Sequence, residues 1–215
     1  MKLRKSWWVL AIVSIGVMIP FMAPYVTLDP AKSRIEITSS AVQYPLLVAH
    51  IAFAFVALVS GLLQFIDRIR VRNPETHRNV GKVYVYSVFV SGLLAIGTIF
   101  YIENYTKAIA FLVLALAWLF TGWKGYVAAR KRNFEEHRRW MIRSFGMTLV
   151  AVSARLLVPV LMLLYYVLHG FALPGGREAM VNEILNVNMW VGLVLDLMIV
   201  EWVMLKSAIK PAQVP

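Results

Sequence analysis

Two of the four histidines occupy equivalent places in a repeated sequence. Segments 70–78 (RVRNPETHR) and 130–138 (RKRNFEEHR) share the pattern R-x-R-N-x-E-x-H-R, and each joins the end of one apolar segment to the start of the next. The imidazoles belong to His77 and His137. A neutral imidazole aimed into a helix bundle is a ligand for haem iron or another metal ion. The pattern therefore predicts cofactor-binding residues; the alternative is a basic mouth that binds lipid phosphate.

The residues around these histidines are candidates for supporting a cofactor. Each histidine follows a glutamate by two positions, and a carboxylate can hold an imidazole tautomer or itself bind a metal ion. The predicted surroundings of the site are Glu75, Glu135, Arg78, Arg138, Tyr84 and Arg143. With no cysteine in the chain, thiolate metal sites, iron–sulfur clusters and disulfides are excluded.

His50 is a third candidate cofactor ligand, in the apolar segment before the first repeat. A two-haem b-type cytochrome would use one histidine pair in each half of the membrane, and His169 is the only other histidine on that side. At 1.5 Å per residue, however, His50 lies roughly 10 Å deeper than His169. A structural hydrogen bond for His50 is as well supported as a cofactor role, and His169 is interpreted as a loop residue.

The elements that position these residues are membrane helices. Hydrophobic residues make up 60% of the chain and charged residues 15%, and the apolar runs reach the length of about 20 residues that crosses a bilayer. Six spans are predicted, at 8–26, 45–65, 83–101, 108–129, 145–168 and 187–205. Runs this long and continuous are helices and not barrel strands. The chain is therefore predicted to be a single all-α integral membrane domain.

The repeat predicts how these helices are arranged. Units 45–101 and 108–168 each contain two spans, and the two units have the same orientation. We expect two parallel helical hairpins that form a four-helix bundle, with the first and last spans as additional helices. In each loop an asparagine, Asn73 or Asn133, suits the helix N-cap, which puts each histidine on the first turn of the following helix.

The chain has a net charge of +11, and the placement of its positive residues indicates the topology. Lysines and arginines crowd the two repeated loops and both ends of the chain, Lys2, Arg4 and Lys210 among them, and only Lys32, Arg34, Lys107 and Arg177 fall on the other side. The positive-inside rule then predicts that both termini lie in the cytoplasm of a bacterial cell, with the protein in its plasma membrane. The partners expected of such a surface are anionic lipids, not nucleic acid.

Stripes of small and polar residues predict the faces that pack together. Helical spacing from His77 passes through Gly81, Tyr84, Val88 and Ser91, and that from His137 through Met141, Ser144, Thr148 and Arg155; His50 begins a third stripe with Ala57, Gly61 and Gln64. Such surfaces pack helix to helix in membranes. The three histidines should therefore face one interior.

Through these motifs the chain resembles a bacterial family of multi-pass membrane proteins, domain of unknown function 2306. The resemblance covers spans two to five, through His50, Gln64, the run H-R-x-x-G-x-x-Y from His77 to Tyr84, the run H-x-x-W-M-x-R-S from His137 to Ser144, and Arg155. It implies the fold and the membrane location. It implies no activity, because the family has none assigned.

Two charges lie deepest in the predicted spans, Arg155 and Asp196. Opposite charges at matching depth predict a buried ion pair that fastens span six to the core; the alternative is a substrate, quinone or proton site. We predict a haem- or quinone-linked redox protein, similar in general plan to two-haem b-type cytochromes, with haem b as the expected cofactor and a quinone or redox protein as partner. The alternatives are a small-molecule or ion transporter and a cofactor-free scaffold or assembly factor.

Overall fold

A computed structural model describes residues 5–209, apart from the side chains of 207–209. Lys2, Arg4 and Lys210, which contribute to the charge asymmetry, lie outside the described residues. Within them the chain forms six long helices and no strand: α1 Lys5–Val26, α2 Gln43–Gln64, α3 Pro74–Ile99, α4 Tyr105–Arg130, α5 Phe134–Leu168 and α6 Gly176–Ile209. All six are long and apolar enough to cross a membrane. The prediction of an all-α membrane protein is confirmed.

Four of the helices form a closed ring. α2 packs against α3, α3 against α4, α4 against α5, and α5 also contacts α2. The other two helices lie outside this ring, α1 against α5 and α2, and α6 against α5 and α4. This is the predicted four-helix core with two additional helices. The repeat units 45–101 and 108–168 stay a prediction from the sequence.

The predicted stripes line the interior of the ring. Tyr84 on α3 is 1% exposed, and Val88 on α3 and Ser144 on α5 are fully buried. Small residues allow the close approach of the helices: a Cβ on Gly61 of α2 would lie 2.5 Å from the ring of Phe145 on α5. Without a strong hydrophobic force between helices in lipid, such close packing is the main source of their association.

The two repeated loops lie at one end of the bundle, here called the basic end; the α1–α2, α3–α4 and α5–α6 connections lie at the opposite end. The loops differ in form. After α2 the chain makes a short π-helical turn, Arg68–Arg72, before α3. After α4, only residues 131–133 separate the two helices, and Arg132 adopts a left-handed conformation with φ of 57°.

The predicted asparagine caps have different outcomes. The side chain of Asn133 accepts a hydrogen bond from the backbone N–H of Glu136 (3.2 Å), as a cap at the start of α5 should. Asn73 occupies the cap position of α3, but its side chain makes no capping hydrogen bond. Pro74 at the first helical position fixes a suitable φ and supplies no N–H, so α3 begins without that cap.

Candidate functional site

His77 and His137 occupy equivalent positions on the first turns of α3 and α5. The backbone N–H of His77 donates to the carbonyl of Asn73 (3.0 Å), and that of His137 donates to the carbonyl of Asn133 (2.9 Å). Both side chains are partly buried. The basic end of the ring therefore carries both predicted ligands.

The ring of His137 is held by a backbone carbonyl. Its Nδ1 lies 2.8 Å from the carbonyl oxygen of Gly125 on α4. Because a carbonyl can only accept, Nδ1 carries the hydrogen and donates it, and in the neutral ring Nε2 keeps its lone pair. This is the arrangement that orients a histidine for metal ligation. No direct signal in the sequence points to Gly125, which lies in the preceding helix.

The imidazole ring of His77 lacks the hydrogen bond that holds the ring of His137. Its Nδ1 is buried and has no hydrogen-bond partner among the described residues. The backbone of the same residue is fixed from α2, because Gln64 Nε2 donates to the carbonyl of His77 (3.1 Å). A buried polar atom without a partner is unfavourable, and in native structures such an atom often marks a place where water, an ion or a cofactor binds.

The predicted carboxylate and arginine neighbours do not contact the histidine rings. Glu135 pairs with Arg139 on the surface (3.1 Å), and Glu75, Arg78 and Arg138 are exposed. The physical reason is helical geometry: residues one or two positions away project about 100° or 200° around the axis. No hydrogen bond joins Glu75 or Glu135 to a histidine ring among the described residues, and the carbonyl of Gly125 holds the ring of His137 instead. Their alternative role as metal ligands stays a prediction.

Tyr84 belongs to a buried polar network deeper in the bundle. Its hydroxyl lies 2.8 Å from Ser144 Oγ and 3.0 Å from Thr148 Oγ1, and Trp118 Nε1 donates to the same Thr148 oxygen (3.0 Å). Tyr84 is seven residues after His77, so the network lies about 10 Å further into the membrane. It joins α3, α4 and α5 beneath the histidines.

Arg143 connects α5 to α6. Its Nε donates to Glu201 Oε1 (2.7 Å) and its Nη2 to Glu201 Oε2 (3.1 Å), a two-point contact with both carboxylate oxygens. Its guanidinium also lies 5.0 Å from the centre of the Trp140 ring. The sequence predicted Arg143 as part of the cofactor surroundings, and its contact with Glu201 comes from the structure. The structure gives the two residues one shared role.

The predicted ion pair between Arg155 and Asp196 is not formed. Asp196 accepts a hydrogen bond from Ser153 Oγ (2.8 Å), whereas Arg155 Nη1 donates to the carbonyl of Ala151 (2.5 Å) in its own helix. Ser153 and Arg155 are two positions apart on α5 and so project about 200° from each other. Ser153 meets α6, and Arg155 extends toward Phe21 of α1. The sequence therefore predicts that α5 meets Asp196 at about this depth, but it assigns the contact to the wrong face of α5.

His50 and His169 do not form a second pair. His50 Nδ1 donates to the carbonyl of Ser91 on α3 (3.0 Å), and Ser91 Oγ donates back to the carbonyl of His50 (3.0 Å). His169 follows α5, where its ring stacks on Tyr165 with ring centres 3.9 Å apart. His50 thus makes the structural hydrogen bonds that were weighed against a cofactor role.

The donor set decides which cofactor fits the histidines. No cluster of three or more His, Cys, Asp or Glu side chains occurs in the part of the chain that the structure describes. A bare metal ion held only by protein would need such a cluster. Haem needs one or two axial ligands, because the macrocycle supplies the rest. His137 with an oriented ring and His77 with an unpartnered nitrogen fit haem better than a bare ion.

Comparison with known proteins agrees with this architecture. The model of a family described as predicted membrane proteins matches residues 47–204. The chain belongs to this family, domain of unknown function 2306. The DUF2306 match takes in His50, both repeated loops, Arg155 and Asp196, and it begins after α1 and the α1–α2 loop. No curated protein and no solved structure matches the chain.

Proposed function

We propose that this DUF2306 protein is a membrane redox protein that binds one b-type haem between His77 and His137. The proposal is supported by the equivalent positions of the two histidines, on the first turns of α3 and α5 at the basic end, and by the state of their rings. The Nε2 lone pair of His137 is directed by the Gly125 carbonyl (2.8 Å from Nδ1), and a buried nitrogen of His77 lacks a partner within the described chain. Bound haem would supply one-electron chemistry.

The protein's own residues would set the conditions at this site. The Nδ1–H bond to Gly125 fixes the orientation of the His137 ring and raises its basicity as a ligand. The Gln64 contact holds the first turn of α3 against α2. The network around Tyr84 closes the interior below the histidines, since Tyr84 and Ser144 are buried. Electron exchange with a quinone or a redox protein would therefore take place at the basic end.

A single haem is proposed in place of the two-haem plan. The second pair would need His50 and His169, but His50 lies against Ser91 of α3 inside the ring of helices, whereas His169 follows α5 and stacks on Tyr165, so the two side chains have different neighbours. The transporter alternative used Arg155 and Asp196 as one substrate site. Asp196 contacts Ser153 on the face of α5 that meets α6, whereas Arg155 extends from another face toward α1. A joint site of Arg155 and Asp196 therefore has no support.

The proposal is tested by an absorption spectrum of the detergent-purified protein from cells supplied with a haem precursor. We expect a Soret band, and α and β bands that sharpen on reduction with dithionite, as six-coordinate b-type haem gives. Pyridine haemochrome analysis should give about one haem per chain. Protein without a Soret band after this treatment would refute the redox proposal and favour the scaffold alternative.

The orientation proposed is that the basic end faces the cytoplasm of a bacterial cell. It rests on the positive-inside rule and on an even number of spans, which puts both ends of the chain on one side. Reporter fusions after Lys210 and within the 131–133 turn should both report the cytoplasm, and a fusion within the 100–104 connection should report the outside. The reverse pattern would contradict the orientation and leave the haem proposal standing.

A further inference from the structure

Arg155 is a buried guanidinium without a carboxylate. Its Nη1 donates to the carbonyl of Ala151 in its own helix, and its Nε is buried without a hydrogen-bond partner among the described residues. It forms no ion pair within the described chain, whose ion pairs join other residues. A cation inside a membrane protein normally pairs with a counter-charge or lines a binding site. Arg155 has no counter-charge.

A second arginine lies against the same aromatic ring. The guanidinium carbon of Arg155 is 4.7 Å from the centre of the Phe21 ring, and that of Arg34 is 4.9 Å from it. The ring face attracts each cation. It does not neutralise them, however, and the two guanidiniums repel each other. Two like charges at one aromatic ring, neither with a carboxylate partner among the described residues, favour an anion beside them.

Arg34 is held in this position by α1. Pro24 has no N–H, so it cannot bond the carbonyl of Pro20 one turn earlier. Arg34 Nη2 donates to that free carbonyl (2.9 Å), and the backbone N–H of Arg34 donates to the hydroxyl of Tyr25 (3.3 Å). Arg34 is therefore fixed beside Phe21 although it comes from the α1–α2 loop.

Within the described chain, the surroundings of the two arginines supply no compensating carboxylate. In the α1–α2 loop, Asp29 lies 3.9 Å from Lys32, and Glu36 forms no ion pair with any described residue. The hydroxyl of Tyr44, at the start of α2, is buried and also lacks a partner among the described residues.

We propose that Arg155 and Arg34 form a binding site for an anionic group, a carboxylate or a phosphate, in the half of the bundle away from the basic end, between α1, α2 and α5. Guanidinium groups suit this role because their planar N–H fork matches two oxygens of one anion. The group has two sources, the headgroup of an anionic phospholipid or a small soluble anion. The site is independent of the haem proposal, since its residues lie in the other half of the bundle.

The test measures thermal unfolding of the purified protein in neutral detergent, followed by tryptophan fluorescence. Inorganic phosphate is compared with chloride at equal ionic strength, and phosphatidylglycerol with phosphatidylcholine. We expect the anionic member of at least one comparison to raise the Tm of the wild-type protein by several degrees. A rise with phosphatidylglycerol alone would identify a lipid headgroup, and a rise with phosphate would identify a soluble anion.

Substitutions separate this site from general binding to basic surfaces. Arg155→Leu should abolish the rise in Tm, Arg34→Gln should reduce it, and the control Arg177→Gln, an exposed arginine at the same end, should keep it. Without added anion, Arg155→Leu should match or exceed the wild-type Tm, because it removes an uncompensated charge. Should Arg155→Leu not accumulate, Arg155→Lys should diminish the rise. The proposal would be overturned if the anion raised the Tm of the Arg155 variant as much as that of the wild type. It would also be overturned if the anion did not raise the Tm of the wild type.

Discussion

The hairpins α2–α3 and α4–α5 carry the same loop pattern but hold their histidines differently. In the second hairpin α4 continues to Arg130, so Gly125 lies inside the helix with its carbonyl open to the His137 ring. In the first hairpin α2 ends at Gln64, and the residue sixty positions before Gly125 is Phe65, the C-cap of α2, whose ring packs against Phe145. His77 consequently has no equivalent acceptor.

This difference shows what a local motif controls. Because α3 and α5 begin at equivalent loop positions, both histidines lie on a first helical turn at the same end of the bundle. What each ring contacts depends on the helix that precedes it in the chain. The first hairpin thus provides an unsatisfied imidazole and the second an oriented one, an asymmetry that suits a site completed by a ligand between them.

The largest effect is expected from the histidines. If haem binds as proposed, His77→Ala and His137→Ala should each abolish the b-type bands, because each removes one axial ligand. His169→Ala should leave the spectrum unchanged, and His50→Ala should change it little, since His50 is bonded to Ser91. Bands that persist in both His77→Ala and His137→Ala would mean that the haem binds elsewhere.

A smaller effect is expected from the buried polar network around Tyr84, which joins the hairpins. Tyr84→Phe removes the hydroxyl that contacts Ser144 and Thr148, so a buried serine loses its partner. We expect a loss of about 1 to 2 kcal/mol in the free energy of unfolding, measured by titration with sodium dodecyl sulfate. Tyr86→Phe, on the lipid-facing side of the same helix, is the matched control and should have no measurable effect. Equal losses in the two variants would argue against the network.

Arg143 and Arg155, both on α5, give a sharper comparison. Arg143 and Glu201 are 27% and 46% exposed, so their coupling should be about 1 kcal/mol in a double-mutant cycle with leucine and glutamine substitutions. The same cycle on Arg155 and Asp196 should give a coupling near zero, because these side chains do not meet. A coupling for Arg155 and Asp196 as large as that for Arg143 and Glu201 would restore the ion pair that the sequence predicted.

The smallest effect concerns the two helix caps. Asn133→Ala removes the hydrogen bond to the Glu136 N–H and should cost about 0.5 to 1 kcal/mol. Asn73→Ala should be close to neutral, because Asn73 makes no side-chain capping bond. The difference in denaturation midpoint between the two variants measures the asymmetry of the loops. If Asn73→Ala were the more destabilising change, the first loop would have to adopt a different conformation from the one described.

The sequence by itself determined the class of protein, the six helices and the inward stripes, and it predicted His77 and His137 at one end of the bundle, because hydropathy, helical periodicity and a repeated loop pattern act locally. Only the tertiary structure decided which atoms meet. Ser153, not Arg155, contacts Asp196, Arg143 pairs with Glu201, and Arg155 joins Arg34 at Phe21. These contacts depend on the rotation of each helix about its axis and on the place of α1 and α6 outside the ring. A turn of 100° per residue changes a partner without changing its depth, so depth could be read along the chain and direction could not.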